Sequence, residues 1–136
     1  MKIMYDAVFK IVEDGTVFVR LGSQTNCGGI TQIQVRIEPN TNSGIQFAPS
    51  ESESNNTHDF CHGIMAGMDM PTGLRSAVFA GANEAYLQCT SRTDIKFTLM
   101  NAYVDMIAAS DMMFKLVGEI AVSRWYESQS NSGESL

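Results

Sequence analysis

The segment Thr31-Gln-Ile-Gln-Val-Arg-Ile-Glu38 alternates apolar and polar residues without a break. In an extended chain Ile33, Val35 and Ile37 project to one side, and Gln32, Gln34, Arg36 and Glu38 to the other. Such a strand belongs to a sheet with one buried face and one that meets water or a partner. The rest of the chain must therefore supply further strands beside it and a layer to cover its apolar side.

Residues 2–12 alternate more loosely, with Ile3, Tyr5, Ala7, Phe9 and Ile11 in phase, and predict an edge strand. Asp14-Gly15 is a tight-turn signal, and Thr16 to Leu21 a second strand rich in β-branched and aromatic residues. A glycine-rich loop, 21–30, then leads into the alternating strand. The cluster Pro39 to Gly44 is a turn, 44–48 a short strand, and Ile95, Phe97 and Leu99 mark another. Between them, 49–70 is polar and then rich in Gly and Met, and reads as a long loop.

Two helices complete the pattern. Pro71 suits a first helical turn, and Leu74, Ala77, Val78, Gly81, Ala82 and Ala85 form a small-residue stripe over Pro71–Cys89 that lets this helix lie close to a neighbour. Ser110 caps a second helix, with Asp111 at the positive end of its dipole. Met113, Leu116, Val117, Ile120 and Ala121 share its apolar face, Lys115 and Glu119 lie opposite, and Trp125 closes the core edge. The expected fold is α+β, a two-layer sandwich of a mixed sheet with both helices on one face. One domain is expected over 1–126, followed by a disordered tail, 127–136, poor in core-forming residues.

Composition narrows the function. A net charge of -6 argues against a protein whose main task is to coat nucleic acid. Cys27, Cys61 and Cys89 include no C-x-x-C pair, which favours reduced thiols. No apolar run is long enough to cross a membrane, and the first ten residues lack the apolar core of a signal peptide, so a cytoplasmic protein without a membrane partner is expected.

Taken in order, several stretches resemble domain IV of translation elongation factor G and its paralogues, the ribosomal-protection tetracycline-resistance proteins among them. They are Val-Phe-Val-Arg (17–20), Ile-Gln-Val-Arg-Ile-Glu-Pro (33–39), Ile-Gln-Phe (45–47), Pro-Thr-Gly-Leu-Arg-Ser-Ala-Val-Phe-Ala-Gly (71–81), Asp-Ile-Lys-Phe-Thr-Leu (94–99) and Ser-Asp-Met-Met-Phe-Lys-Leu-Val (110–117). The resemblance spans roughly residues 10–124 and rests on order and spacing rather than on one specific motif. It implies two helices on one side of a sheet, a left-handed β-α-β crossover and a non-catalytic role at the ribosome. It also implies two tip loops as the binding site, at 22–30 and 100–109. In this chain they carry Ser23, Gln24, Thr25 and Asn26, and Asn101, Tyr103 and Asp105. The first loop holds no cation and the second no histidine, and no G-x-x-x-x-G-K-[ST] phosphate loop is present.

Other candidate chemistry is sparse. The glycines at 22–29 suit an anion nest, but a hairpin loop using positive φ is preferred. His58, Asp59, Cys61 and His62 include zinc-type donors, but at a spacing that matches no standard site, so loop histidines are the preferred reading and no metal or other cofactor is expected. No third group orients a Cys–His pair for catalysis, and no enzyme is expected. Met113 is assigned to the core, while Met65 and Met68 are open between core and a partner surface. Arg20, Arg36, Arg92 and Lys96 fall on the sheet's polar side, where they would touch RNA phosphate or simply be solvated. The expected function is a binding domain for RNA or the translation apparatus. The alternative is a protein-interaction or self-assembling (homo-oligomeric) module that has lost the RNA-reading residues.

Overall fold

The computed structural model describes residues 5–11, 15–23, 30–40, 44–50, 57–58, 62–89, 93–105 and 110–134. Seven strands run in the order β1 (Tyr5–Ile11), β2 (Thr16–Ser23), β3 (Ile30–Pro39), β4 (Ile45–Pro49), β5 (Thr57–His58), β6 (His62–Ala66) and β7 (Ile95–Asp105). Helix α1 (Thr72–Gln88) lies between β6 and β7, and α2 (Asp111–Glu134) follows β7. In the sheet the order is β1-β2-β3-β7-β6-β5, with β4 also paired to β7.

β7 is the spine. One edge pairs antiparallel with β3 along its length. The other changes partner midway: Ile95–Leu99 pair in parallel with β4, and Asn101–Asp105 pair antiparallel with β6. At the changeover the Ser50 amide donates to the Leu99 carbonyl at 2.8 Å, and the Met68 amide donates to the Ser50 carbonyl at 2.9 Å. β4 and β7 are therefore parallel neighbours joined through the β5–β6 hairpin and α1. The sheet is mixed, as expected.

A register shift opposite Gln34 and Val35 leaves Met100 as an extra residue in β7. Ile95, Phe97 and Leu99 point to the helix side before the bulge, and Ala102 and Val104 after it, all fully buried. Without the extra residue, the alternation would turn Ala102 and Val104 to the opposite face.

Both helices cover that one side. Val17, Val19 and Leu21 of β2 and Ile33, Val35 and Ile37 of β3 join the β7 residues in a single core with Val78, Ala82, Phe114, Val117, Ala121 and Val122 of the helices. Phe97 sits in a ring cluster, its centroid 5.8 Å from Phe47 and 6.1 Å from Phe79. Both helices return against the direction of β7 and are anchored where it starts: the Tyr86 hydroxyl donates to Asp94 at 3.2 Å, and the Tyr126 hydroxyl donates to the Thr93 carbonyl at 2.5 Å.

The small-residue stripe of α1 meets α2 at a pair of glycines. A Cβ on Gly81 would lie 1.8 Å from the Lys115 carbonyl oxygen, and one on Gly118 would lie 2.2 Å from that of Val78. The two backbones touch, with no side chain between them at the crossing.

The Ser110 cap is present: its hydroxyl accepts the Met113 amide at 3.2 Å. The buried side chains of α2 are Phe114, Val117, Ala121, Val122 and Trp125, while Met113, Leu116 and Ile120 are half-buried beside them. The apolar face is thus rotated slightly from the expected one. The helix also continues through 127–134, which the sequence reading assigned to a disordered tail. No proline stops it there, and Arg124 lies 3.8 Å from Glu127, one turn on.

Candidate functional site

The side of the sheet opposite the helices carries the polar members of the same alternations. Successive cross-strand rows place Arg20 beside Gln32, Gln32 beside Tyr103, and Tyr103 beside Ile64. The next row holds Phe18, Gln34, Asn101 and Ala66. Below it stand Thr16, Arg36, Thr98 and Ala48, and then Glu38, Lys96 and Gln46. Arg20, Glu38, Gln46 and Lys96 are exposed, and Phe18, Gln32, Gln34, Arg36, Thr98 and Tyr103 are half-buried.

Two features order this face. The Asn101 amide donates to the Gln34 side-chain oxygen at 3.3 Å, tying β3 to β7 across the bulge. Lys96 stands directly opposite Glu38, a favourable cross-strand pair. Among the described side chains of this face, the three cations Arg20, Arg36 and Lys96 outnumber the one carboxylate, Glu38, in a chain of net charge -6. Of the four basic residues expected on this side, Arg92 lies outside the described residues.

The expected tip-loop residues divide. Ser23 ends β2, and Gln24, Thr25 and Asn26 lie outside the described residues. Asn101, Tyr103 and Asp105 are not in a loop: they are part of β7, held between β3 and β6. Asn101 is buried, with 6% of its surface exposed, and its amide is spent inside the sheet. Tyr103 stands on the helix-free face, and Asp105 pairs with His62 at the end of the strand. Residues 24–29 and 106–109 lie outside the described residues; the strand ends that flank them, Ser23, Ile30 and Asp105, lie at one end of the sheet.

Of the zinc-type string, His58 lies in β5 opposite Gly63, His62 begins β6, and Asp59 and Cys61 lie outside the described residues. Among the described residues no three His, Cys, Asp or Glu side chains come together as a metal site. Met65 and Met113 pack against the core and Met70 is buried, while Met68 and Met112 are exposed.

No protein family model matches the chain, and no curated protein matches it either. Among the described residues no helix is long and apolar enough to cross a membrane. Sequence reasoning missed Phe18 and placed Tyr103 in a loop. The signal for Phe18 was its place between Val17 and Val19, which sends an aromatic ring to the polar side.

Proposed function

We propose that the chain is a non-catalytic binding module that associates with RNA, a domain of the elongation factor G domain IV kind serving the translation apparatus in the cytoplasm. The contact is made by the helix-free face of the sheet. One observation carries this reading: the cations Arg20, Arg36 and Lys96 share a face with side-chain amides and two aromatic residues, while the chain as a whole is acidic. Cations position the phosphate backbone, and amides supply both donors and acceptors to bases.

The test is fluorescence anisotropy with a labelled RNA oligonucleotide between about 50 and about 200 mM salt. Three phosphate contacts give a log–log salt slope of about -2 for a single strand, and Arg20→Gln with Lys96→Gln together reduce it to about -0.7. Absence of binding at low salt, or binding indifferent to both substitutions, refutes the proposal. The net charge of -6 favours a second reading, a protein-interaction or self-assembling module. A dimer or larger species in light scattering, with no RNA binding, supports that one.

A further inference from the structure

We infer that the RNA this face takes is a single, unpaired strand whose bases lie flat on Phe18 and Tyr103. The inference rests on the RNA-binding reading and goes further, because it names the state of the ligand and the residues that select it. Phe18 in β2 and Tyr103 in β7 stand on either side of β3, one row apart, with Gln34 and Gln32 between them. With strands spaced by about 4.8 Å and a rise of about 3.4 Å per residue, their attachment points are roughly 12 Å apart on one pleated surface. Gln32 and Gln34 on β3, with the exposed Gln46 below, offer amides to base edges. Arg20 lies beside Gln32 and Lys96 opposite Glu38, so cations sit at opposite ends of the platform, where a backbone crossing it would pass.

Charge decides between single and double strands. The described face offers three cations, on a chain whose overall charge of -6 repels phosphate. Phosphate neutralisation therefore supplies a small part of the affinity. The remainder has to come from stacking, which is sequence-tolerant and open to unpaired bases. A paired helix hides its base faces, keeps its base edges in grooves, and presents a convex ridge of phosphate that a sheet face with few cations holds poorly.

The experiment compares a short uridine oligomer with a short RNA duplex, using the full chain at one salt concentration and anisotropy as readout. The uridine oligomer is expected to bind at least about tenfold more tightly than the duplex. Phe18→Leu and Tyr103→Leu, which keep apolar bulk but remove the ring, are each expected to weaken oligomer binding about tenfold and leave the salt slope unchanged. Equal or tighter duplex binding overturns the inference while leaving the RNA-binding reading intact, and so does oligomer binding that survives both leucine substitutions. No binding to either RNA overturns both. The comparison on the unmodified chain decides the matter even if a leucine variant fails to fold.

Discussion

Replacing Gly81 by alanine adds one methyl group where two helix backbones touch. The new Cβ would lie 1.8 Å from the Lys115 carbonyl oxygen and 2.8 Å from its carbon, with the Glu119 amide nitrogen at 3.1 Å. All three neighbours are main-chain atoms, so no rotamer change relieves the clash. The helices have to move apart by more than about 1 Å, and a gap of that size forfeits a quarter to a half of each dispersion contact across it. Val78, Ala82, Val117, Ala121 and Val122 are all buried in the core that this crossing closes. Overpacking of a core costs about 1–3 kcal/mol and here belongs at the top of that range or slightly above. Alanine also favours the helix over glycine by about 1 kcal/mol, which offsets part of the cost. The net expectation is a loss of about 2–3 kcal/mol, or roughly 8–12 °C in Tm for a domain of this size. Urea unfolding followed by circular dichroism measures it. Gly73→Ala, in the first turn of α1 with nothing within 4 Å of the added Cβ, is the internal control and should be neutral or mildly stabilising. If Gly81→Ala behaved like Gly73→Ala, the backbone contact between α1 and α2 would be refuted.

Three further outcomes follow from single contacts. Ser110→Ala removes the acceptor for the Met113 amide and should cost about 1 kcal/mol in urea unfolding, whereas Ser110→Asp should retain most of the stability. Phe97→Ala empties a fully buried site between Phe47 and Phe79 and should cost about 3–5 kcal/mol by the same assay. A hydrogen bond to the Glu84 carboxylate, reinforced by its charge, raises the pKa of Lys115 above 10.5. A raised lysine pKa stabilises the fold fully at neutral pH and loses that contribution as pH climbs through the raised value. The pair is nearly half exposed and its effect is small, but the natural chain should show a slight fall in urea midpoint above about pH 10.5 that Lys115→Met flattens.

The layer arrangement was readable because two periodicities coexist in one short chain. Alternation in Val17–Leu21 and Ile33–Ile37 gave a one-sided sheet, and the spacing of Ala77, Val78, Gly81, Ala82 and Ala85 gave a helix built to approach a neighbour. The neighbour's half of that contact, Gly118, carries no periodic signal, because a lone glycine in a helix pattern looks the same whether or not a backbone lies against it. The resemblance, not the residue pattern, places Asn101, Tyr103 and Asp105 in a tip loop; the bulge at Met100 instead lets β7 run on through them with its apolar side kept on the core. β6 was missed because His62–Ala66 is short, contains glycine and methionine, and becomes a strand only through pairing with β7. The extension of α2 past Tyr126 was hidden for a related reason. Its composition suits a solvated tail, and helix continuation there depends on the preceding turns rather than on core burial. The candidate site was legible in part. Arg20, Arg36 and Lys96 were assigned to the polar side from alternation alone, but only the register shows that Phe18 and Tyr103 stand in adjacent rows among them.

Titrating a short uridine oligomer into isotope-labelled protein and following backbone amide chemical shifts tests the central claim most directly. Perturbations should cluster on β2, β3 and β7 around Phe18, Arg20, Gln32, Lys96 and Tyr103, and leave the outward faces of α1 and α2 unchanged. Shifts centred on those helices, or none at concentrations that saturate anisotropy, would contradict the assignment of binding to the helix-free face.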